Sequence, residues 1–259
     1  MGDNYKIAEK KHYDLAVGSV KKVDKNNMPL NDKVLRSSHL FFLQRLEKLI
    51  NDSPIKVLDY GCGPGVRLID LVRPSVQLFG IDISPNSIEF ANQINKEKNL
   101  NAHYEVMDCE KTTFPDNYFD IIADYGTFSS LNIQCAIPEV VRILKPDGYL
   151  VSIETLGHNP FSNLKRFINV LFRQRTKWSA YHIMKLKDWN YAESYFHTSE
   201  IDYFGLTVLF IAPFLKILPS GWHDKIISKF ERLDSWLLRN SIFQKYAFKT
   251  VVLLANPKK

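Results

Sequence analysis

The chain has 259 residues, 45% of them hydrophobic and 24% charged, which excludes wholesale disorder and predicts one large domain or two small ones. Its formal net charge of +6 is uneven: residues 155–259 carry 16 Lys and Arg against 7 Asp and Glu, and residues 1–154 carry 18 against 21. An anionic partner, if there is one, belongs to the second half, where nucleic acid, a membrane surface, a small anion or plain solvation all fit.

The opening MGDNYKIAEKKHYD is too polar for a secretory signal. Lys6 stands where N-myristoylation at Gly2 would need Ser or Thr. SSHLFFLQRLEKLI then repeats Leu40, Leu43, Leu46 and Leu49 or Ile50 at helical spacing. Residues 1–53 are expected to form a helical lid on a domain of residues 54–259. From Lys56 short apolar runs alternate with helical ones: KVLDY, VRLIDLV, VQLFGID, and a helix at SPNSIEF, where Ser84 suits the N-cap and Pro85 the first turn. AHYEVMD and YFDIIAD predict a third and a fourth strand, CAIPEVVRIL a helix, and KPDG a turn into the strand YLVSIE. Strands alternating with helices imply parallel pairing, with ligands at the carboxyl ends of the strands. Beyond residue 155 the chain is basic and aromatic. KLKDWNYAESYF reads as a helix, HTSEIDYF and KTVVLLAN as late strands, and WHDKIISKFERLDSWLLRN as a helix. The apolar stretch 204–219 is interrupted by Pro213 and Lys216 and is too short to span a membrane. It is expected to be buried core, or else to rest on a membrane surface. Cys62, Cys109 and Cys135 show no CxxC spacing, so neither a disulfide framework nor a zinc site is expected, and a cytoplasmic protein is.

The chemistry concentrates in VLDYGCGPG. Gly61, Gly63 and Gly65 follow a strand, and a glycine-rich turn there lets a nucleotide-like ligand touch the main chain. A dinucleotide fingerprint would place its third glycine one residue later, and the Gly-Lys-Ser/Thr of a phosphate loop is missing. Asp59, at the strand end, would repel a pyrophosphate and suits a ligand bearing an ammonium and a sulfonium.

This stretch resembles the first motif of class I S-adenosylmethionine-dependent methyltransferases. LFGIDIS, VMDCE, FPDNYFDIIADYGTFSSL and VRILKPDGYLVSIE resemble the family's following features in the same order, over residues 55–155. The resemblance implies an α/β, Rossmann-like, seven-stranded, mostly parallel sheet with an antiparallel last strand. It implies that S-adenosylmethionine is bound by Asp59, Gly61, Cys62, Gly63 and Gly65, and released as S-adenosylhomocysteine. Asp82 with Ile83 would meet the ribose, Asp108 and Cys109 the adenine, and Asp124 and Tyr125 the methionine moiety or the acceptor. EKKHYDLA is similar to the lead-in helix of these enzymes, with Tyr13 as a residue closing over the cofactor.

For the acceptor, DYGTFSS lacks the paired prolines of nucleic-acid amino methyltransferases, and no Pro-Cys nucleophile occurs, so no nucleic-acid partner is expected. SIETLGHNPFSNLKRF resembles a subset of bacterial small-molecule methyltransferases with a basic, aromatic cover over the acceptor at about 155–240. His158 and His182 are then the candidate general bases for O-methylation, with Glu154 as a further orienting group. Lys165, Arg166, Arg173, Arg175 and Lys177 would meet a phosphate or carboxylate on a small or lipid-like acceptor. No metal is expected. An RNA or protein methyltransferase, and a cofactor-binding module without catalysis, are the alternatives.

Overall fold

In the computed structural model, residues 4–16, 33–50, 53–159, 163, 176, 178 and 181–259 are described. Two helices precede the sheet, α1 (Asn4–Ala16) and α2 (Arg36–Leu49). The sheet is then laid down as β1 (Ile55–Tyr60), β2 (Val76–Asp82), β3 (Ala102–Val106), β4 (Phe119–Asp124) and β5 (Leu144–Thr155). Helix α3 (Pro85–Glu97) links β2 to β3, and α4 (Ile133–Ile143) links β4 to β5. After β5 come α5 (Leu186–Glu193), β6 (Phe196–Phe204), α6 (Val208–Leu215), α7 (Ser220–Leu237), α8 (Ser241–Gln244) and β7 (Lys249–Pro257).

The seven strands are ordered β3-β2-β1-β4-β5-β7-β6. The first five pair in parallel, and β7 runs antiparallel between β5 and β6. This is the expected sheet. Its central strands are covered on both faces, so they read as nearly unbroken apolar runs. Side chains still alternate between two cores. Leu58, Tyr60 and Ile122 join the cluster under α4 and α5 that holds Val140 and Trp189. Val57, Ile121 and Ala123 join the cluster under α2 and α3 that holds Phe42, Leu46, Ile88 and Ala91.

Four local expectations change. VRLIDLV forms only a single 3-10 turn, Ile69–Leu71. Leu68, Ile69 and Leu71 are buried while Arg67 and Asp70 are exposed, and an isolated bridge between Arg73 and Val76 ends the connection around Pro74. KPDG lies inside β5, where the register jumps from Phe119 paired with Leu144 to Ile121 paired with Tyr149. The excess residues of this jump are accommodated as a bulge. Helix α2 buries Ser38, Phe42 and Leu46 at spacings of four; of the leucine stripe only Leu46 is fully buried, Leu43 and Leu49 are half-buried and Leu40 is exposed. The stretch 204–219 is core on one side only: Val208, Ile211 and Leu215 pack with Val34 and Ile227, while Phe214 and Ile217 face solvent.

Candidate active site

Parallel strands deliver their last residues to one edge of a sheet, and an antiparallel strand delivers its first residue to that edge. Tyr60 sits beside Asp124, Asp124 beside Ser152, and Thr155 beside Lys249. A cavity of about 480 Å³ opens along this edge, a size suited to small molecules.

The turn after β1 forms its floor. Gly61 and Gly63 have φ of +75° and +51°, the left-handed region that disfavours side chains. A Cβ on Gly61 would lie 2.3 Å from the Thr127 side chain, so this glycine is needed for packing. A Cβ on Gly63 would meet nothing within 4 Å, and Gly63 lines the cavity with Cys62. Gly65 does not line it; a Cβ there would sit 2.9 Å from Ala91 Cβ and 3.0 Å from the Tyr104 ring, so it lets α3 approach β3.

Four of the expected carboxylates face the cavity or lie close beneath it. Asp82, at the end of β2, accepts hydrogen bonds from Gly63 N and Ser84 N, both at 2.9 Å. Burial pushes its carboxyl up, and those bonds pull it back. Asp59 is buried, and its Oδ2 has no hydrogen-bond partner among the described residues. Burial, then the nearby charge of Asp82, pushes Asp59 up to about 7 against a weaker pull from Arg67. Asp108 pairs with Lys6 of α1 at 2.7 Å and accepts from Glu110 N at 2.9 Å. Next to it, Cys109 is buried, its carbonyl accepts from Tyr60 Oη, and burial pushes its thiol far up, away from nucleophilic use. Asp124 is fully buried behind the lining, holding Ser152 Oγ at 2.6 Å and Thr127 N at 2.9 Å. Ile83 and Tyr125 both line the cavity.

Helix α1 closes one side. Lys6 also pairs with Glu110 at 2.8 Å, and Tyr5 donates to the same carboxylate. Tyr5 stacks on Trp178 with ring centroids 3.8 Å apart. Tyr13 lines the cavity with its hydroxyl 3.2 Å from Ser130 Oγ, and Ser84 Oγ donates to Asp14 at 2.5 Å. Glu9 is buried at the cavity with its Oε2 unpartnered among the described residues.

At the far wall Glu154 reaches the lining. It accepts from Ser129 N at 3.1 Å and Ser129 Oγ at 2.7 Å. Burial pushes both Glu154 and Asp124 up, and the charge of Glu154 pushes Asp124 further. Arg67 and Lys249 stand 4.5 Å and 5.5 Å from the Tyr125 ring. Burial, then these two cations, pushes the neighbouring His39 down to about 4.

His158 and His182 are not brought to the cavity. His158 is exposed, with Nε2 accepting from Leu186 N at 3.3 Å at the start of α5. His182 is exposed and stacked on Trp178 at 3.4 Å. Lys165, Arg166, Arg173, Arg175 and Lys177 lie outside the described residues. Sequence reasoning missed Lys6, Glu9, Arg67 and Lys249. Only Lys249 carried a signal, since the first residue of an antiparallel last strand must fall at the ligand edge. Among the described residues no group of three or more His, Cys, Asp or Glu is placed to hold a metal ion.

A family model described as a methyltransferase domain matches residues 51–200. A sterol 4-C-methyltransferase of Caenorhabditis elegans is 28% identical over 133 residues, covering 50% of this chain and 39% of that protein. A demethylmenaquinone methyltransferase of a Geobacillus species is 28% identical over 141 residues, covering 52% of this chain and 60% of its own. The chain thus spans well under two thirds of the length of either relative. The solved geranyl diphosphate C-methyltransferase of Streptomyces coelicolor, in complex with S-adenosylhomocysteine, superposes with a TM-score of 0.60 at 16% identity over 98% of both chains; that likeness concerns the fold. With the family model covering more than half of its length, this chain belongs to the methyltransferase-domain family of class I S-adenosylmethionine-dependent enzymes.

Proposed function

We propose that this protein transfers a methyl group from S-adenosylmethionine to the oxygen of a small, largely apolar acceptor. The residues present fit the cofactor. The open space over Gly63 is where a ligand can approach the main chain. The unpartnered Asp59 Oδ2 is a buried carboxyl oxygen that a cationic ligand would satisfy. Asp82 has its remaining lone pairs available for two hydroxyls. Asp59 would hold the ammonium end, Asp82 and Ile83 the ribose, and Asp108 with Cys109 the adenine. The bound cofactor supplies a methyl group on a sulfonium, already bonded to a good leaving group. What the chain must add is alignment, exclusion of water and a place for the acceptor's proton. Helix α1 serves as the lid that excludes water, tied down through Lys6, Tyr5 and Asp14.

Glu154, rather than either histidine, is the proposed proton acceptor. It is a carboxylate in the cavity lining at the end of β5, it is positioned by Ser129, and its affinity for a proton is raised by burial. An acceptor of apolar body is supported by the cavity's Val66, Ile83, Leu131, Tyr13 and Tyr125. The names of the two curated relatives, which refer to a sterol and to demethylmenaquinone, point the same way.

The observation that carries this reading is the juxtaposition of an unpartnered Asp59 with an open Gly63 in one cavity. The test is release of S-adenosylhomocysteine from S-adenosylmethionine on addition of fractionated small-molecule extracts. Wild type is expected to turn over. Glu154→Gln is expected to bind the cofactor normally and to lose about 100-fold or more in kcat, the lower range for a general base. His158→Ala and His182→Ala are expected to stay within about twofold of wild type. A Glu154→Gln variant as active as wild type would remove the carboxylate from the mechanism.

A further inference from the structure

We propose that the outer face of α7, together with the α6–α7 corner, docks on an anionic lipid bilayer. This goes beyond methyl transfer and does not depend on it. Helix α7 is amphipathic in an unusual sense. Its inner face buries Ile227 and Asp234. Asp234 accepts from Leu206 N at 2.9 Å and Thr207 N at 2.6 Å, so it caps the start of α6 and fixes the hairpin. Along one flank Trp222, Lys229, Leu233 and Trp236 are exposed, and with Ile226, half-buried against the Val208 cluster, they follow one another at spacings of four and three. At 3.6 residues per turn they fall within an arc of about 80° and extend about 21 Å along the axis.

That face is apolar where solvent should favour polar residues. Trp222 is 63% exposed and Trp236 66%, and at the corner Phe214 is 63% and Ile217 84% exposed. Contiguous exposed apolar surface marks an interaction site. The charges indicate which kind. Lys225 and Arg232 border the stripe on one side, and Lys229 lies within it. Asp224 and Glu231 project nearly opposite, flanking the buried Ile227, and Asp234 is consumed as a cap. A second copy of this +6 chain would set these cations against their own kind. An anionic bilayer neutralises them while its headgroup region takes the tryptophans, whose rings prefer that boundary. No helix among the described residues is long and apolar enough to cross a membrane, so the contact is one of surface docking.

The placement ties the surface to the cavity. Residues 205–248 form an excursion between Phe204 and Lys249, which are paired neighbours, and Lys249 lines the cavity. Asn159 Nδ2 donates to Tyr246 O at 2.9 Å, joining the end of the excursion to the segment after β5. Docking therefore attaches the membrane contact to the same sheet edge that carries Lys249.

The test is flotation of the full chain with large unilamellar vesicles of phosphatidylglycerol and phosphatidylcholine in equal parts, and with phosphatidylcholine alone. Wild type is expected to float with the anionic vesicles, to shift its tryptophan emission to the blue, and to be released by added salt. Trp222→Ser with Trp236→Ser, and separately Lys225→Glu with Lys229→Glu, are each expected to lower vesicle affinity at least about tenfold. Neither pair lines the cavity, so S-adenosylmethionine binding should be unchanged. The proposal is overturned if wild type does not float, or floats equally well with neutral vesicles. It is also overturned if both double variants float like wild type, or if the tryptophan pair abolishes a dimer in a chain that never floats. Should the tryptophan pair fail to fold, the charge-reversal pair, all on exposed positions, decides alone.

Discussion

At the scale of single residues, the proposed cofactor site rests on a carboxylate shielded from water. Asp59 rises from 3.8 to about 7 because burial, then Asp82, disfavours its charge. Between those two pH values the native state holds a proton that the unfolded chain has released, so stability from this site falls as pH rises. The whole effect is on the order of 4 kcal/mol and is complete above about pH 7. A cationic ligand restores the ionised form and expels the proton. Affinity for S-adenosylmethionine is therefore expected to rise by up to about tenfold per pH unit below 7 and then to level off. In Asp59→Asn the pH dependence should be flat and the affinity low. Calorimetric titrations across that range check both. The glycine turn and the strand-end carboxylates were legible because a local rule, contact of main chain with ligand, fixes them within a few residues. His158 and His182 were not placed by any local rule: one caps the approach to α5 and the other stacks on Trp178, both decided by tertiary packing.

At the scale of elements, the proposed lid α1 is held in part by charge. Burial draws the Lys6 ammonium down, but Asp108 and Glu110 outweigh it and hold it up. Lys6 is half-buried and its partner Asp108 is a third exposed, so solvent still screens the pair and it is worth about 1 kcal/mol to the fold. Lys6→Met is expected to leave the melting temperature nearly unchanged and to raise the rate of cofactor release several-fold, measured by stopped-flow displacement. A fall in stability with unchanged release would make α1 a packing element instead. The strands were legible because buried parallel strands must be apolar throughout. The helix expected after β1 did not form in full: between the glycine turn and Pro74 the chain makes one 3-10 turn, Ile69–Leu71. Helix α7 shows the opposite case. Its pattern reads as an ordinary amphipathic helix until burial reveals that apolar residues occupy both faces.

At the scale of the whole molecule, an uneven charge and a one-sided sheet edge act together. The order of the strands brings the ends of β1, β4 and β5 and the start of β7 to a single cavity. Beyond β5, Lys249 at the start of β7 is the one lining residue among the described ones. Residues 55–155 disclosed the site since successive strands and their end residues follow one another in order. The acceptor side stayed obscure since it draws on positions as far apart as Glu9, Arg67, Glu154 and Lys249, whose meeting depends on the finished fold. The central claim, that this cavity receives S-adenosylmethionine over Gly63, has a direct measurement: calorimetric titration of the cofactor into wild type and Gly63→Ala. A left-handed alanine costs about 1–2 kcal/mol of stability, and no protein atom opposes its methyl group. The account predicts saturable one-to-one binding to wild type, and a Gly63→Ala variant that folds but binds at least about tenfold more weakly than wild type. No binding to wild type, or equal binding to both, would contradict it.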